Sequence, residues 1–583
     1  MHRDHTPPPT TTVACSARLP MTVDQPTENM HPTKVRDPDL AHEIAALRRE
    51  NIALIGEVTR LQTSLRFQGA SILADATRSP AAALAVPGRL FGLAREVFRL
   101  RAWHALTFAL ECGLPNDPLH SMVPPDLSRY ALMRRMARRA SRNAAPIVSA
   151  GTSSVAGPLE LAGCRHRELE DIIEKGPAVC PEVGSPGLPR SHGPVLMVLD
   201  SGAPDLMNGY TMRSQELLRA IRGRSIDAIG LIRSLDPQDA DQEIDDVPYY
   251  RLPLINQDTS ITSYLQKYSS AIEQVIRSCR PRLVHAASNH VTGYSALLAA
   301  RKVGLPFIYE VRGLWEMTRA SIYPRYAASA GYAAQRRMEI ETARNADWLL
   351  VNGDGLKALF VEAGVRPERI SIVPNGCVPE DFDAAATLAP ELKTRWGLDS
   401  RPIIGFVGSL TSYEGLGDLV AACARLKHRI DFQLLIVGDG PYRPELEADV
   451  ARAGVRAITR FVGRVSPEEA RAAYAIIDIA PLVRPATPVA RLTPPLKPLE
   501  AMAGGSALVV SNLPALRAFA DDDRGIVVPP SDPSTLEDAL GSLLADEQKR
   551  VALAAKARRH VETKLRWSNT AQTITTIYEK LTG

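Results

Sequence analysis

The sequence predicts an α/β protein with parallel sheets, preceded by a helical region. Three observations carry this. Strand-like runs end in glycine turns: Ile403–Val407 stops at Gly408, and Leu434–Val437 stops at Gly438–Asp439–Gly440. The segment Pro494–Gly505 then reads as a helix leading into a further strand, Ala507–Ser511. Repeated strand–turn–helix units build parallel sheets, and ligands sit at the carboxyl ends of their strands. Ahead of these units, Leu40, Leu47, Leu54 and Leu61 recur every seven residues, which is a heptad seam.

The chain has 583 residues, enough for about three or four folding units. A net charge of +4 is too mild to indicate a nucleic-acid binder. The 7 cysteines are scattered with no metal-ligand spacing. That pattern argues against a disulfide framework and a zinc site, and fits a reducing cytoplasm. The first residues lack the apolar core of a signal peptide, and no apolar run of about 18 residues suits a membrane span. The expected location is cytoplasmic, with the inner face of the cell membrane as a further option.

Residues 1–35, rich in Pro and Thr, read as a disordered tail. Residues 36–68 read as a coiled coil, with Ile44, Asn51, Val58 and Leu65 filling the alternate seam. A buried Asn51 pairs best with its copy on a second parallel helix, so residues 38–67 predict a homodimer. Gly56 weakens that helix by roughly 1 kcal/mol relative to Ala. The competing reading is an amphipathic helix packed on its own domain. Residues 69–190 read as a helical accessory region and linker, with helices over 89–110 and 127–142. On the second, Arg135, Arg138, Arg139 and Arg142 share one face. Such a helix either touches an anionic membrane or presents a solvated face of a docked helix. Residues 143–190, rich in Pro, Gly and Ser, read as the linker.

The first α/β half spans 191–380. It opens with a strand at Val195–Asp200, a turn at Gly202, and a helix entered through Asn208–Arg213 and ending near Ala220. Gly209 lets backbone approach a ligand, and the helix N-terminus offers free N–H groups to an anion. Further strands are expected at Leu283–Ala286, Pro306–Val311, Trp348–Val351 and Ile370–Val373, the last running into the hinge-like Pro374–Asn375–Gly376. Arg312 follows the second of these. It either clamps a carboxylate or phosphate bidentately or pairs with Glu310 or Glu316.

The order and wording of these segments resemble the group 1 (GT4-like) retaining glycosyltransferases of GT-B fold. "YEVRGLWE", "IVPNG" and "TPPLKPLEAMA" carry the likeness, over roughly residues 193–583. The resemblance implies two Rossmann-like domains facing a cleft. Residues 191–380 would receive the acceptor, residues 381–565 would hold a nucleotide-diphosphate sugar, and a helix over 566–583 would pack back on the first domain.

The same resemblance assigns site residues. Glu500 would bind the donor ribose. Backbone N–H groups from Ala501 and Met502 to Gly504 would take the diphosphate, with the turns at Gly209, Gly408–Ser409 and Gly440 close by. A carboxylate suits a diol, and a helix N-terminus suits an anion. Taken alone, Glu500 is also an ordinary first-turn glutamate. His285 would bind sugar or acceptor, as would His290, although a lone histidine near a strand end is more often structural. Arg312, Lys497 and His285 are the catalytic candidates.

Three positions depart from the family pattern. Leu492 stands where the first glutamate of an E-x7-E motif belongs. Ser409 and Glu414 stand where Arg and Lys usually neutralise the diphosphate. Arg491 and Lys497 lie close in sequence and would replace that charge, which the leaving diphosphate needs in the transition state. Asp521–Asp523 reads as a surface turn, and no metal is implied.

The implied activity is retaining, metal-independent sugar transfer to a glycan or lipid-linked acceptor in surface polysaccharide or glycoconjugate synthesis. It needs no cofactor beyond the nucleotide-sugar co-substrate. The alternatives are a non-catalytic scaffold, which the three departures favour, and another GT-B enzyme such as a nucleotide-sugar epimerase.

Overall fold

The computed structural model describes residues 158–177, 192–202, 208–233, 241–252 and 260–583. The heptad segment 38–67 and the basic helix 127–142 lie outside the described residues.

Two sheets organise the described residues. The first contains β1 (Val195–Val198), β2 (Ala228–Arg233), β3 (Gln242–Ile244), β4 (Val247–Leu252), β5 (Leu283–Ala287), β6 (Phe307–Val311), β7 (Trp348–Val351) and β8 (Ile370–Ile372). Their order is β3-β4-β2-β1-β5-β6-β7-β8. Only the β3–β4 pair is antiparallel. The second sheet contains β9 (Ile403–Val407), β10 (Gln433–Val437), β11 (Thr459–Gly463), β12 (Ile479–Leu482), β13 (Ala507–Ser511) and β14 (Gly525–Val528). Its order is β11-β10-β9-β12-β13-β14, parallel throughout.

Every residue of β1, β5, β6, β9, β10, β12 and β13 is buried. Helices cover both faces of a parallel sheet, so these strands read as continuous apolar runs without alternation. In the first sheet the strand order turns around between β1 and β5. In the second it turns around between β9 and β12. Crevices outside the carboxyl ends of doubly wound sheets form at such points. The loops after β1, β5, β9 and β12 are therefore where a ligand is to be sought.

The stretch 143–190 is not all linker, because it contains the helix Pro158–Lys175. Leu169 and Ile172 join the apolar core of the first lobe. Glu168 caps the helix Ile261–Cys279, accepting from Ile261 N and Thr262 N at 2.8 Å each. Apolar spacing and a cap outweigh a Pro- and Gly-rich composition.

The chain crosses between lobes twice at one place. After β8 it passes Val373–Cys377 into the second lobe, and at Leu565–Trp567 it returns. Cys377 N donates to Leu565 O at 2.8 Å, and Thr570 Oγ1 donates to Pro374 O at 3.1 Å. The last helix, Trp567–Thr582, sets Ala571, Ile574, Ile577 and Tyr578 into the core of the first lobe. Among the described residues, no helix is long and apolar enough to cross a membrane.

Candidate active site

On the second-lobe side, the site is built on the exits of β9 and β12 and the head of the helix Lys497–Gly504. Lys497 Nζ lies 2.8 Å from Glu414 Oε1. Arg484, just past β12, donates from Nη2 to the same oxygen at 2.8 Å and from Nε to Oε2 at 3.1 Å. Glu414 ends a short 3-10 turn, and Gly415 follows with φ +74°. A Cβ on Gly415 would stand 1.8 Å from Val483 O, so only glycine lets this loop lie against the exit of β12. The trio is largely closed to solvent, at 3% exposure for Glu414, 13% for Arg484 and 17% for Lys497. Burial pushes the Glu414 carboxyl up, but Arg484 and Lys497 outweigh it and hold the group down at about 2.

Glu500 sits one turn along the same helix, half-buried. Its Oε2 accepts from Tyr474 Oη at 3.1 Å. Burial pushes its carboxyl above the ordinary range, against the pull of Lys497 and that hydrogen bond. A carboxylate with two oxygens and one protein donor keeps acceptor capacity for a ligand hydroxyl.

On the first-lobe side, Asn208 caps the helix Gly209–Arg222 by accepting from Tyr210 N and Thr211 N at 2.9 and 3.1 Å. Two N–H groups at that helix start are therefore already used. Gly209 is exposed, and a Cβ there would stand 3.4 Å from Leu496 Cδ1 of the other lobe. Nearby, Asp200 after β1 pairs with Arg233 at the end of β2 and accepts from Asn289 Nδ2 at 3.2 Å after β5.

Arg312 and His285, the first-lobe catalytic candidates, both lie buried in polar pairs around Glu310. Arg312 is buried with its fork filled. It donates twice to Glu310 Oε2, at 3.0 and 2.8 Å, and to Ser214 Oγ and Tyr210 O at 2.6 and 3.1 Å. The ion pair with Glu310 is thus the arrangement present, and it uses four of the five guanidinium N–H groups together with Ser214 and Tyr210. His285 has no exposed surface; its Nδ1 lies 2.7 Å from Tyr578 Oη and its Nε2 3.5 Å from Glu310 Oε2. His290 donates its backbone N–H to Glu339 Oε1 at 2.8 Å.

Ala501 and Met502, expected as diphosphate contacts, lie inside the helix rather than at its start. The helix begins at Lys497, so they lie beyond the four residues whose N–H groups lack intrahelical partners. Their side chains are fully buried. The remaining candidates differ in exposure. Ser409 and Arg491 are exposed. Gly440 packs too closely for a side chain, its Cβ position lying 2.3 Å from Leu410 O.

Three important residues escaped the sequence reading. Arg484 and Tyr474 reach Glu414 and Glu500 from other elements. Arg213 donates to Glu310, Asn375 Oδ1 and Val373 O at 2.8, 2.7 and 3.0 Å, tying the first loop to the hinge. The only local signal was a cation two positions past the end of β12, at Arg484.

Two Rossmann-like lobes joined by a double crossing, each with polar groups where its strand order turns around, define a GT-B protein. The likeness to solved structures agrees. Sucrose-phosphate synthase from Thermosynechococcus elongatus matches with a TM-score of 0.57 at 20% identity, over 67% of this chain and 99% of that one. HepE of Anabaena in complex with UDP-glucose matches with a TM-score of 0.53 at 16% identity, over 67% of this chain and all of that one.

Residues 208–376 match the family model "Glycosyl transferase 4-like domain", and residues 401–546 match "Glycosyl transferases group 1". The D-inositol 3-phosphate glycosyltransferase of Corynebacterium urealyticum is 31% identical over 294 residues, 46% of this chain and 68% of its own length. The 2-deoxystreptamine glucosyltransferase of Streptomyces kanamyceticus is 31% identical over 196 residues, 31% of this chain and 48% of its own length. The chain belongs to the group 1 glycosyltransferases.

Proposed function

We propose that the chain transfers a sugar, with retention and without a metal, from a nucleotide-diphosphate donor to a glycan or lipid-linked acceptor in surface polysaccharide or glycoconjugate synthesis. The observation that carries the donor site is the pairing of Glu500 and Lys497 on one helix turn beside the β9 and β12 exits. Glu500, with spare acceptor capacity, takes the ribose hydroxyls. Lys497 and the backbone at Gly408–Ser409 face the diphosphate, and the exposed Arg491 adds charge. The leaving diphosphate oxygen takes the acceptor proton on the face it departs from, so configuration is kept.

The acceptor enters at the carboxyl ends of β1, β2 and β5, where Asp200, Arg233 and Asn289 offer hydrogen-bonding groups. The inositol-phosphate and deoxystreptamine relatives support a polyhydroxylated ring as the accepting unit. Arg213 and Arg312 act through Glu310 as positioning residues for the loop that opens the first lobe. The heptad segment would dimerise the enzyme and the basic helix would bring it to a membrane-borne acceptor.

Thermal-shift and calorimetric titration with UDP, GDP and ADP tests the donor site. One nucleotide should bind wild type and fail to bind Glu500→Ala. A second reading, a non-catalytic scaffold, is favoured by Leu492 and by Glu414, whose carboxylate engages both Arg484 and Lys497. Absence of binding by a folded protein would select it.

A further inference from the structure

Glu414 is an anion built into a place that faces a proposed anionic ligand. Its two oxygens take three hydrogen bonds, two from the Arg484 fork and one from Lys497. The two cations are not equivalent. Arg484 is pinned by a bidentate pair and stacks over Tyr413, its guanidinium carbon 5.7 Å from the ring centre. Lys497 makes a single bond to Oε1, sits 5.5 Å from the Phe406 ring centre, and has its stem in the hollow at Gly408. An ammonium has three donors, so Lys497 can turn to a second anion while Arg484 keeps Glu414 paired.

We propose that Glu414 is the internal counter-anion of the donor site. It holds Lys497 poised and cedes it to the diphosphate of an incoming nucleotide. The inference rests on the donor-site reading given above. Two cations against one carboxylate leave the trio at +1. The site therefore attracts a nucleoside diphosphate only moderately and takes Lys497 back as that product departs. Glu414 is a positioning residue, since it acts through Lys497.

The sign of the effect distinguishes this from a merely structural role. Removing the Glu414 charge raises the trio to +2 and strengthens attraction for diphosphate. A scaffold role predicts the reverse, because a loosened Arg484 and Lys497 would bind diphosphate worse.

The test is calorimetry of the full-length chain with UDP, GDP, ADP and inorganic pyrophosphate, on wild type, Glu414→Gln and Glu414→Asp. The nucleotide that binds wild type should bind Glu414→Gln about tenfold more tightly, with donor KM and kcat falling together as product release slows. Glu414→Asp keeps the charge and the Arg484 pair but draws the carboxylate back from Lys497. It should tighten binding about two- to threefold, and it carries the test if the Gln variant does not fold. Unchanged or weaker binding in the folded variants, with wild type binding normally, overturns the counter-anion role alone. Failure of wild type to bind any nucleotide overturns the donor-site reading, and this inference with it.

Discussion

A Cβ on Gly408 would stand 2.3 Å from Lys497 Cε. The turn that ends β9 is hollow where the lysine stem passes, so strand exit and helix head form one unit. Gly408 also has φ +142°, a conformation that side chains disfavour. Gly408→Ala should therefore cost roughly 1–3 kcal/mol of stability and displace Lys497. Urea denaturation reads the first effect and nucleoside-diphosphate calorimetry the second. Full retention of both would show that the turn tolerates a methyl group and that Lys497 does not depend on it.

Acid should unfold the protein partly through Glu414. Its ordinary value is 4.5, and Arg484 and Lys497 hold it at about 2 in the fold against the effect of burial. A depressed carboxylate stabilises the fold above its unfolded value, and that stability is lost as pH falls from about 4.5 through about 2. The contribution is about 3 kcal/mol by linkage. Glu310 adds in the same direction, since Arg312 and Arg213 outweigh its burial and hold it well below the carboxylate range. The urea midpoint of wild type should fall between about pH 5 and pH 3, and Glu414→Gln should show a shallower fall. Parallel curves for the two proteins would remove Glu414 from this account.

Glu316 should act with the opposite sign. It is fully buried, Oε2 has no hydrogen-bond partner, and Oε1 is 3.4 Å from Arg336 Nη1. Burial, reinforced by the nearby Glu339, pushes its carboxyl up to about 7. A raised acid stabilises below its unfolded value near 4.5, and that contribution is lost as pH rises through about 7. Glu316→Gln keeps the shape without the charge. It should be more stable than wild type by roughly 1–3 kcal/mol at about pH 8, with little difference at about pH 5. Thermal unfolding at both pH values checks this. A variant weaker than wild type at about pH 8 would mean that the ionised Glu316–Arg336 pair stabilises the fold.

Most of the strands buried on both faces were legible in the sequence, although β2 and β12 were not read as strands. β1, β5 to β10 and β13 are short apolar runs bounded by turns, and their succession predicts parallel sheets. β11 was missed because Thr459 and Arg460 interrupt its pattern. β3 and β4 were missed because a strand at or next to a sheet edge keeps polar residues such as Gln242 and Arg251. The positions of Lys497 and Glu500 were legible because both belong to one helix start. Arg484 and Tyr474 were not, since each reaches its partner across at least 26 residues, and such pairing leaves no local periodicity. Arg312 was legible as a functional or an ion-paired residue, but nothing local chose between them. Arg213 and Ser214, which come from another element, fill the space beside it.

Leu492, the apparent loss of a site glutamate, has a packing role that the structure makes testable. It joins the residues packed on the core of the first lobe, and a Cβ on Gly355 would stand 3.1 Å from Leu492 Cδ2. Asn375 Nδ2 holds the neighbouring Pro494 O at 3.0 Å, so this segment of the second lobe is seated against the first. Leu492→Glu would put a charge against that apolar contact at a cost of roughly 1–3 kcal/mol. The expected outcome is a lower Tm, a higher donor KM and no gain in kcat, with Leu492→Ala losing stability but not adding a charge penalty. Higher kcat in Leu492→Glu would show instead that the restored carboxylate reaches the sugar. That result would make the leucine a change in catalytic chemistry rather than an inter-lobe contact.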